Sequence, residues 1–222
     1  MTTTDLAADN RTWSRLERVT GASGLLAIVL IFGSVITIGE GEPPPLGTVE
    51  EAVHYFHDAG TWLLPATALF AVSLVVFLWF AVGLSAVLRR TEPGPPWRST
   101  VAQLSGVLFV AFGLIDTSVG AAAHRGDVID PGLAAYAWDV NMFAFANTWL
   151  ALGSFTLAAG LAARTAGTFP RWLPWLGIIS GALMVPVRFV WFSQALWVLP
   201  YALMWIWMLI TSGMLLFRRT AR

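Results

Sequence analysis

RRTEPGPPWRSTVAQLSGVLFVAFGLIDTSVGAAAHRGDVIDPG, Arg89 to Gly132, contains two chain reversals and the segment between them. RRTEPGPPWR and HRGDVIDPG are polar and rich in proline and glycine, so neither can continue a helix. The stretch between them, roughly 99–122, is apolar over about the 18–20 residues that cross a bilayer as a helix. Asp116 stands inside that stretch, and His124 closes it. A segment greasy enough for lipid, bounded by turns and carrying one carboxyl group, sets the pattern for the rest of the chain.

Working outward, 57% of the 222 residues are hydrophobic and only 12% are charged. A soluble domain would carry about 25% charged residues. Further apolar runs predict an all-α polytopic membrane protein with six transmembrane helices. They lie at roughly 20–39, 60–88, 99–122, 138–163, 172–192 and 195–217. The organisation expected is a polar N-terminal segment 1–19, one membrane domain 20–217, and a tail 218–222. No segment outside the apolar runs is long enough to build a soluble core. The first run ends in TIGEGEPPP without a small-residue cleavage site, so it reads as a retained helix. Pro65, Pro186 and Pro200 lie within predicted spans and are expected to kink them.

Charge placement sets an expected orientation. All thirteen basic residues are arginine. Except for Arg125 and Arg188, they fall on faces that alternate consistently over six crossings: Arg11, Arg15, Arg18; Arg89, Arg90, Arg98; Arg164, Arg171; Arg218, Arg219, Arg222. The opposite loops hold Glu40, Glu42, Glu50, Glu51, Asp58, Asp127 and Asp130. The positive-inside rule then places both termini in the cytoplasm. Cysteine is absent, which excludes disulfides, thiolate metal sites and cysteine nucleophiles. No basic block suggests nucleic acid.

RVTGASGLLAIVLIFG (Arg18–Gly33) and GTFPRWLPWLGIISG (Gly167–Gly181) resemble a family of six-helix bacterial membrane proteins catalogued as a domain of unknown function. The resemblance implies six helices and a bacterial cytoplasmic membrane. It assigns no activity and no catalytic residue.

The polar groups gather on the predicted outer side. His54, His57 and Asp58 precede the second span, at i, i+3 and i+4, and with Thr61 and Pro65 are expected to share one helix face. Two histidines and a carboxylate are weak metal-ligand candidates, with ordinary solvated roles as the alternative; no cofactor is expected. Asp116 lies in the outer half of the third span and Arg188 in that of the fifth. Asp139 and Asn141 open the fourth span, Asn147 lies deeper, and Gln194 sits at the last hairpin. Ionisable groups in hydrocarbon cost roughly 2.5–3.5 kcal/mol each on insertion scales, so they face a partner or a cavity. One expectation is therefore an Asp116–Arg188 pair that locks two helices. The other is a shared polar-bottomed cavity.

Aromatic residues supply the second signal. Phe109, Phe112 and Asp116 share a helix face, and Trp197, Tyr201 and Trp205 recur every fourth residue. The chain has 12 tryptophans, and an interfacial belt accounts for most of them. Trp13, Trp97, Trp172 and Trp175 fit the inner belt; Trp62, Trp138, Trp191 and Trp197 fit the outer one. Trp79, Trp149, Trp205 and Trp207 are left over.

A desolvated carboxyl group holds its proton, because burial penalises the anion, and can give it to an alkene or epoxide. Aromatic faces stabilise the carbocation that follows. The combination resembles the chemistry of integral membrane terpene cyclases. On that reading Asp116 is the acid, with Asp58 or Asp139 as alternatives. Arg188 or Asn147 orients it, and Phe109, Phe112, Trp149, Trp197, Tyr201 and Trp205 contact a lipophilic, isoprenoid-type substrate. Two alternatives stand beside it: a non-enzymatic protein that binds or transports a lipid or lipophilic small molecule, and a helper subunit that packs on a larger membrane partner. Oligomeric state is not legible.

Overall fold

The computed structural model describes residues 3–38, 47–59, 62–190 and 192–218. Thr61, Trp191, Glu40, Glu42, Arg219 and Arg222 lie outside the described residues, as do the side chains of Asp127 and Gln194. The described residues are 87% helical, with no strand among them. Its elements in order are α1 (Thr3–Ile38), α2 (Val49–Ala59), α3 (Leu63–Thr91), α4 (Trp97–Asp116), α5 (Val119–Ala123), α6 (Pro131–Ala166), α7 (Trp172–Val187) and α8 (Gln194–Phe217). A 3-10 turn, Gly126–Val128, separates α5 from α6.

Five helical segments are long and apolar enough to cross a membrane: Asp9–Thr37, Leu63–Thr91, Trp97–Ala123, Pro131–Ala166 and Ala195–Phe217. α7 is apolar but has only 16 residues. That gives about 24 Å of helix against a hydrocarbon core of about 30 Å.

The element boundaries have local causes. Thr48 and Glu51 form a reciprocal capping box at the start of α2, with Thr48 N–H donating to Glu51 Oε2 at 2.6 Å and Glu51 N–H to Thr48 Oγ1 at 3.2 Å. Asp130 caps α6 by accepting from Leu133 N–H at 3.1 Å, with Pro131 at the first helical position. Gly167 ends α6 in the left-handed region, at φ 63°. Glu92, just past α3, reaches over the RRTEPGPPWR hinge to cap α4. Its carboxylate accepts from the backbone N–H groups of Arg98 and Ser99, each at 3.1 Å.

Several boundaries differ from the sequence expectation: α6 starts at Pro131 and not near 138, so Asp139 and Asn141 lie well inside it, and α7 ends at Val187 and not near 192. α1 is helical from Thr3, so the polar N-terminal segment continues the first span as one helix. α2 is a separate amphipathic helix, so His54, His57 and Asp58 do not continue a face to Pro65 in α3. Pro65 sits in the first turn of α3, where its missing N–H costs nothing and no kink is required. The third predicted span is broken after Asp116 into α4 and α5.

α1 packs against α3 and α8, α3 against α4, α4 against α6, α6 against α7, and α7 against α8. This closes a ring of six helices, with α3 also touching α6 across it. Lipid is as apolar as a leucine side chain, so close packing and interhelical hydrogen bonds must hold such a ring together. Glycines provide the packing between α6 and α7. A Cβ on Gly181 would strike Leu157 N and lie 2.6 Å from Gly153 O, and one on Gly160 would lie 2.9 Å from Pro174 O. Ser105 and Ser154 hydroxyls join α4 to α6 at 2.8 Å.

Apolar side chains also cover the outside of the ring. Val72, Val75 and Trp79 on α3, and Leu104, Val107 and Leu108 on α4, are exposed. Inside lie two runs of touching rings. One links Phe109, Phe77, Phe80, Phe155 and Trp207, at centroid distances from 4.6 to 6.2 Å. The other forms part of the candidate site.

The contacts at the chain reversals define two ends. Arg90 meets Asp9, Thr91 meets Thr168, and Arg218 meets Glu17 at the arginine end. The other end carries α2, His54, His57 and His124.

Candidate functional site

The site begins with the break in the third span. α4 climbs about 30 Å from Trp97 to Asp116, which puts Asp116 towards the histidine end. There Ser118 N–H turns back to Ile115 O at 2.9 Å, and Gly120 N–H bonds Thr117 O at 3.0 Å. The tightened turn draws Gly120 N–H away from the carbonyl of Asp116. Asn141 of α6, buried at 5% exposure, meets the carbonyl instead. With its amide oriented by the hydrogen-bond network, Asn141 donates to Asp116 O at 2.6 Å and to Asp116 Oδ1 at 2.7 Å. One side chain thus satisfies both the carbonyl at the break and one oxygen of the half-buried carboxyl.

A second asparagine of α6 serves the other intramembrane charge. Arg188, the residue after α7, donates from Nε to Asn147 Oδ1 at 2.8 Å, and its guanidinium carbon lies 5.6 Å from the centre of the Phe143 ring. Each charge therefore has an amide partner on α6.

Beside this polar pair runs an unbroken aromatic series: Phe145–Trp149–Trp197–Tyr201–Trp205–Phe32. Successive centroids are 5.2 to 5.7 Å apart, and most contacts are edge-on. It joins α6, α8 and α1, and Asp116 lies within electrostatic reach of Tyr201. The indole N–H of Trp149 is buried without a hydrogen-bond partner. That of Trp205 lies beside the Tyr201 hydroxyl without reaching hydrogen-bond geometry. Buried donors of this kind call for an acceptor.

The predicted site residues divide accordingly. Asp116 meets Asn141 and lies within electrostatic reach of Tyr201, Arg188 meets Asn147, and Trp149, Trp197, Tyr201 and Trp205 share one aromatic run. Phe109 belongs to the other aromatic run, against Phe77, and Phe112 packs on the hydrophobic core. Asp139 is exposed on α6. Asp58 is exposed on α2, where His54 Nδ1 and His57 Nδ1 meet its carboxylate at 3.1 and 3.2 Å. Both acids are exposed in the structure, whereas Asp116 is half-buried. No group of three or more metal-ligating side chains arranged to hold an ion occurs among the described residues.

The four leftover tryptophans now have places. Trp79 faces outward, and Trp149, Trp205 and Trp207 are interior. Trp138 leaves the expected outer belt: it is buried under α2, with its ring 5.3 Å from Tyr55. The sequence puts Asn141 at the start of the fourth predicted span without a partner, and nothing in it marks Phe145 and Phe32 as the ends of the aromatic series. The Asp-Thr-Ser run at 116–118 was the available signal for the break, since side-chain hydroxyls compete for helix carbonyls.

Family models, curated proteins and solved structures were compared with the chain, and none matches.

Proposed function

We propose that the chain crosses the bacterial cytoplasmic membrane six times, with α7 as the short sixth span and both termini in the cytoplasm. We further propose that it acts on a lipophilic, isoprenoid-type molecule in its outer half by acid-initiated cyclisation. The observation that carries the reading is the setting of Asp116, held through Oδ1 by Asn141 next to an aromatic series. On this reading Oδ1 accepts from Asn141 and the acid carries its proton on Oδ2. Transfer of that proton to a terminal alkene carbon forms a C–H bond and leaves a tertiary carbocation. The next double bond closes the ring by attacking it. Loss of a proton to the Asp116 carboxylate ends the sequence, so the reaction is a redox-neutral isomerisation. The faces of Trp149, Trp197, Tyr201 and Trp205 would stabilise the travelling charge, by about 0.5–2 kcal/mol for each ring reached.

Membranes containing the protein, supplied with linear polyprenyl substrates and assayed by mass spectrometry, should yield an isomer of unchanged mass. Asp116→Asn should lower turnover by at least about 100-fold, the lower bound for losing a general acid. Full turnover by Asp116→Asn would end the assignment.

A second reading, binding without turnover, has its own support in the unpartnered indole N–H of Trp149. That donor would take an oxygen of a quinone-like or lipid headgroup with no chemistry. A photoreactive prenyl probe that labels wild type and Asp116→Asn equally, with no product from either, would favour it. The same apolar exterior is compatible with a helper subunit, which co-purification after mild solubilisation would reveal.

A further inference from the structure

Arg11, Arg15 and Arg18 recur at i, i+4 and i+7, and α1 is helical through all three, so they form one stripe on its polar turns. Arg90, in the last turn of α3, meets the other side of the same turns of α1. It contacts Asp9 at 3.4 Å, and its guanidinium carbon stacks 4.6 Å from the centre of the Trp13 ring. Between the two helices lies an open cleft of about 730 Å³, whose lining includes Arg11, Trp13, Arg15, Arg18, Arg90 and Glu17.

The charge balance of this cleft is one-sided. Glu17 is its carboxylate, and Arg218 already engages it at 3.3 Å. Arg89, Arg98 and Arg164 at this end have partners within the protein. Arg89 bonds Thr100 and Gln103, Arg98 meets Glu92 and Trp97, and Arg164 stacks on Trp175. Among the described residues, Arg15 and Arg18 form neither a hydrogen bond nor an ion pair. Two guanidinium groups are thus left facing a cleft whose own carboxylate is neutralised from outside. Trp13, fixed by Arg90, adds an apolar wall. The cleft lies on the polar turns of α1 just before its apolar run begins near Val19; in the proposed six-span arrangement these turns stand at the level of lipid headgroups. Basic pockets between helices at that level suit phosphate-bearing lipids, and guanidinium forks match phosphate oxygens.

We propose that this cleft binds the headgroup of an anionic phospholipid in the leaflet at the arginine end. Arg15 and Arg18 hold the phosphate, Arg11 and Arg90 add to the field, and Trp13 covers the glycerol portion. The site is separate from Asp116 and does not depend on the cyclisation reading.

The test uses the full chain purified in mild detergent and titrated with phosphatidylglycerol or phosphatidylcholine, with bound lipid read by native mass spectrometry. Wild type should retain phosphatidylglycerol selectively. Arg15→Gln/Arg18→Gln should weaken retention about 30-fold, from about fivefold for each arginine near an anionic surface. Arg15→Lys/Arg18→Lys should keep most of the affinity and shows that the double variant is not merely misfolded. Arg171→Gln removes a charge at the same end outside the cleft and should leave binding unchanged. Equal losses in the Arg171 and Arg15/Arg18 glutamine variants, or equal retention of phosphatidylcholine, would overturn the proposal. So would displacement of the lipid by millimolar inorganic phosphate, because the cleft would then be a site for a soluble anion.

Discussion

Glu92 shows how much one side chain can organise at a membrane border. Its side chain is fully buried, in a hinge that the sequence marks only as proline-rich. Burial alone would push its carboxyl up from the ordinary 4.5. The hydroxyl and backbone N–H of Ser99, the backbone N–H of Arg98 and the Arg98 guanidinium outweigh this and hold it lower. A carboxyl depressed in the folded state adds stability that is fully present above its unfolded value. That contribution is lost as pH falls through the folded value. Glu92→Gln should therefore destabilise the protein by about 1–2 kcal/mol at neutral pH, as loss of a helix cap does. Thermal melts in detergent should show the gap between wild type and variant closing below about pH 4.5. A gap that stays constant to acid pH would rule out the carboxylate as its cause. Asp116 belongs to the same scale. Its presence in an apolar run was legible, whereas its partner was not, because Asn141 is 25 residues further along the chain.

At the scale of elements, close approach decides more than hydropathy. α6 and α7 touch through backbone at Gly153, Gly160 and Gly181, where the obstructing atoms are main chain and cannot rotate away. Gly181→Ala should cost about 1–3 kcal/mol, in the range of overpacked cores, and lower the melting temperature in detergent. Gly33→Ala is the matched control. It lies in α1 with nothing within 4 Å of its would-be Cβ, so it should be neutral or slightly stabilising. Equal effects of the two would show that helix propensity, not packing, governs the interface. The break between α4 and α5 and the separation of α2 from α3 are also element-scale facts. Hydropathy merges such neighbours because it reads composition and not hydrogen-bond geometry.

The whole molecule is a ring of six helices whose interior is filled by aromatic side chains. This explains the tryptophan excess better than a belt alone. Trp149 on α6 meets Trp197 on α8, and Phe155 on α6 meets Trp207 on α8, so large rings bridge helices whose backbones stay apart. Orientation is a property of this scale too. The chain has no cysteine, so single cysteines report topology without background. A membrane-impermeant maleimide added to intact cells should label His57→Cys on α2. It should label Thr165→Cys, near the end of α6, only after permeabilisation. The reverse pattern would invert the proposed orientation.

Taken alone, the sequence determined what depends on local composition. It showed runs long and apolar enough to cross lipid as helices, and arginines that collect at alternate reversals. It also showed that Asp116 and Arg188 are rare charges in those helices, and that Trp197, Tyr201 and Trp205 share a face. Hydropathy and helical period need no knowledge of neighbours, so these were readable directly. Only the tertiary structure decided which partners meet. It gave Asp116 to Asn141 and Arg188 to Asn147, and it separated Phe109 from the aromatic series that Trp149 joins. It also put Arg15 and Arg18 in one cleft with Arg90. The physical reason is that each pairing depends on the rotation and depth of two helices fixed by packing across the ring. In lipid that packing is set by shape, by glycine and by a few hydrogen bonds, none of which leaves a periodic trace in one helix.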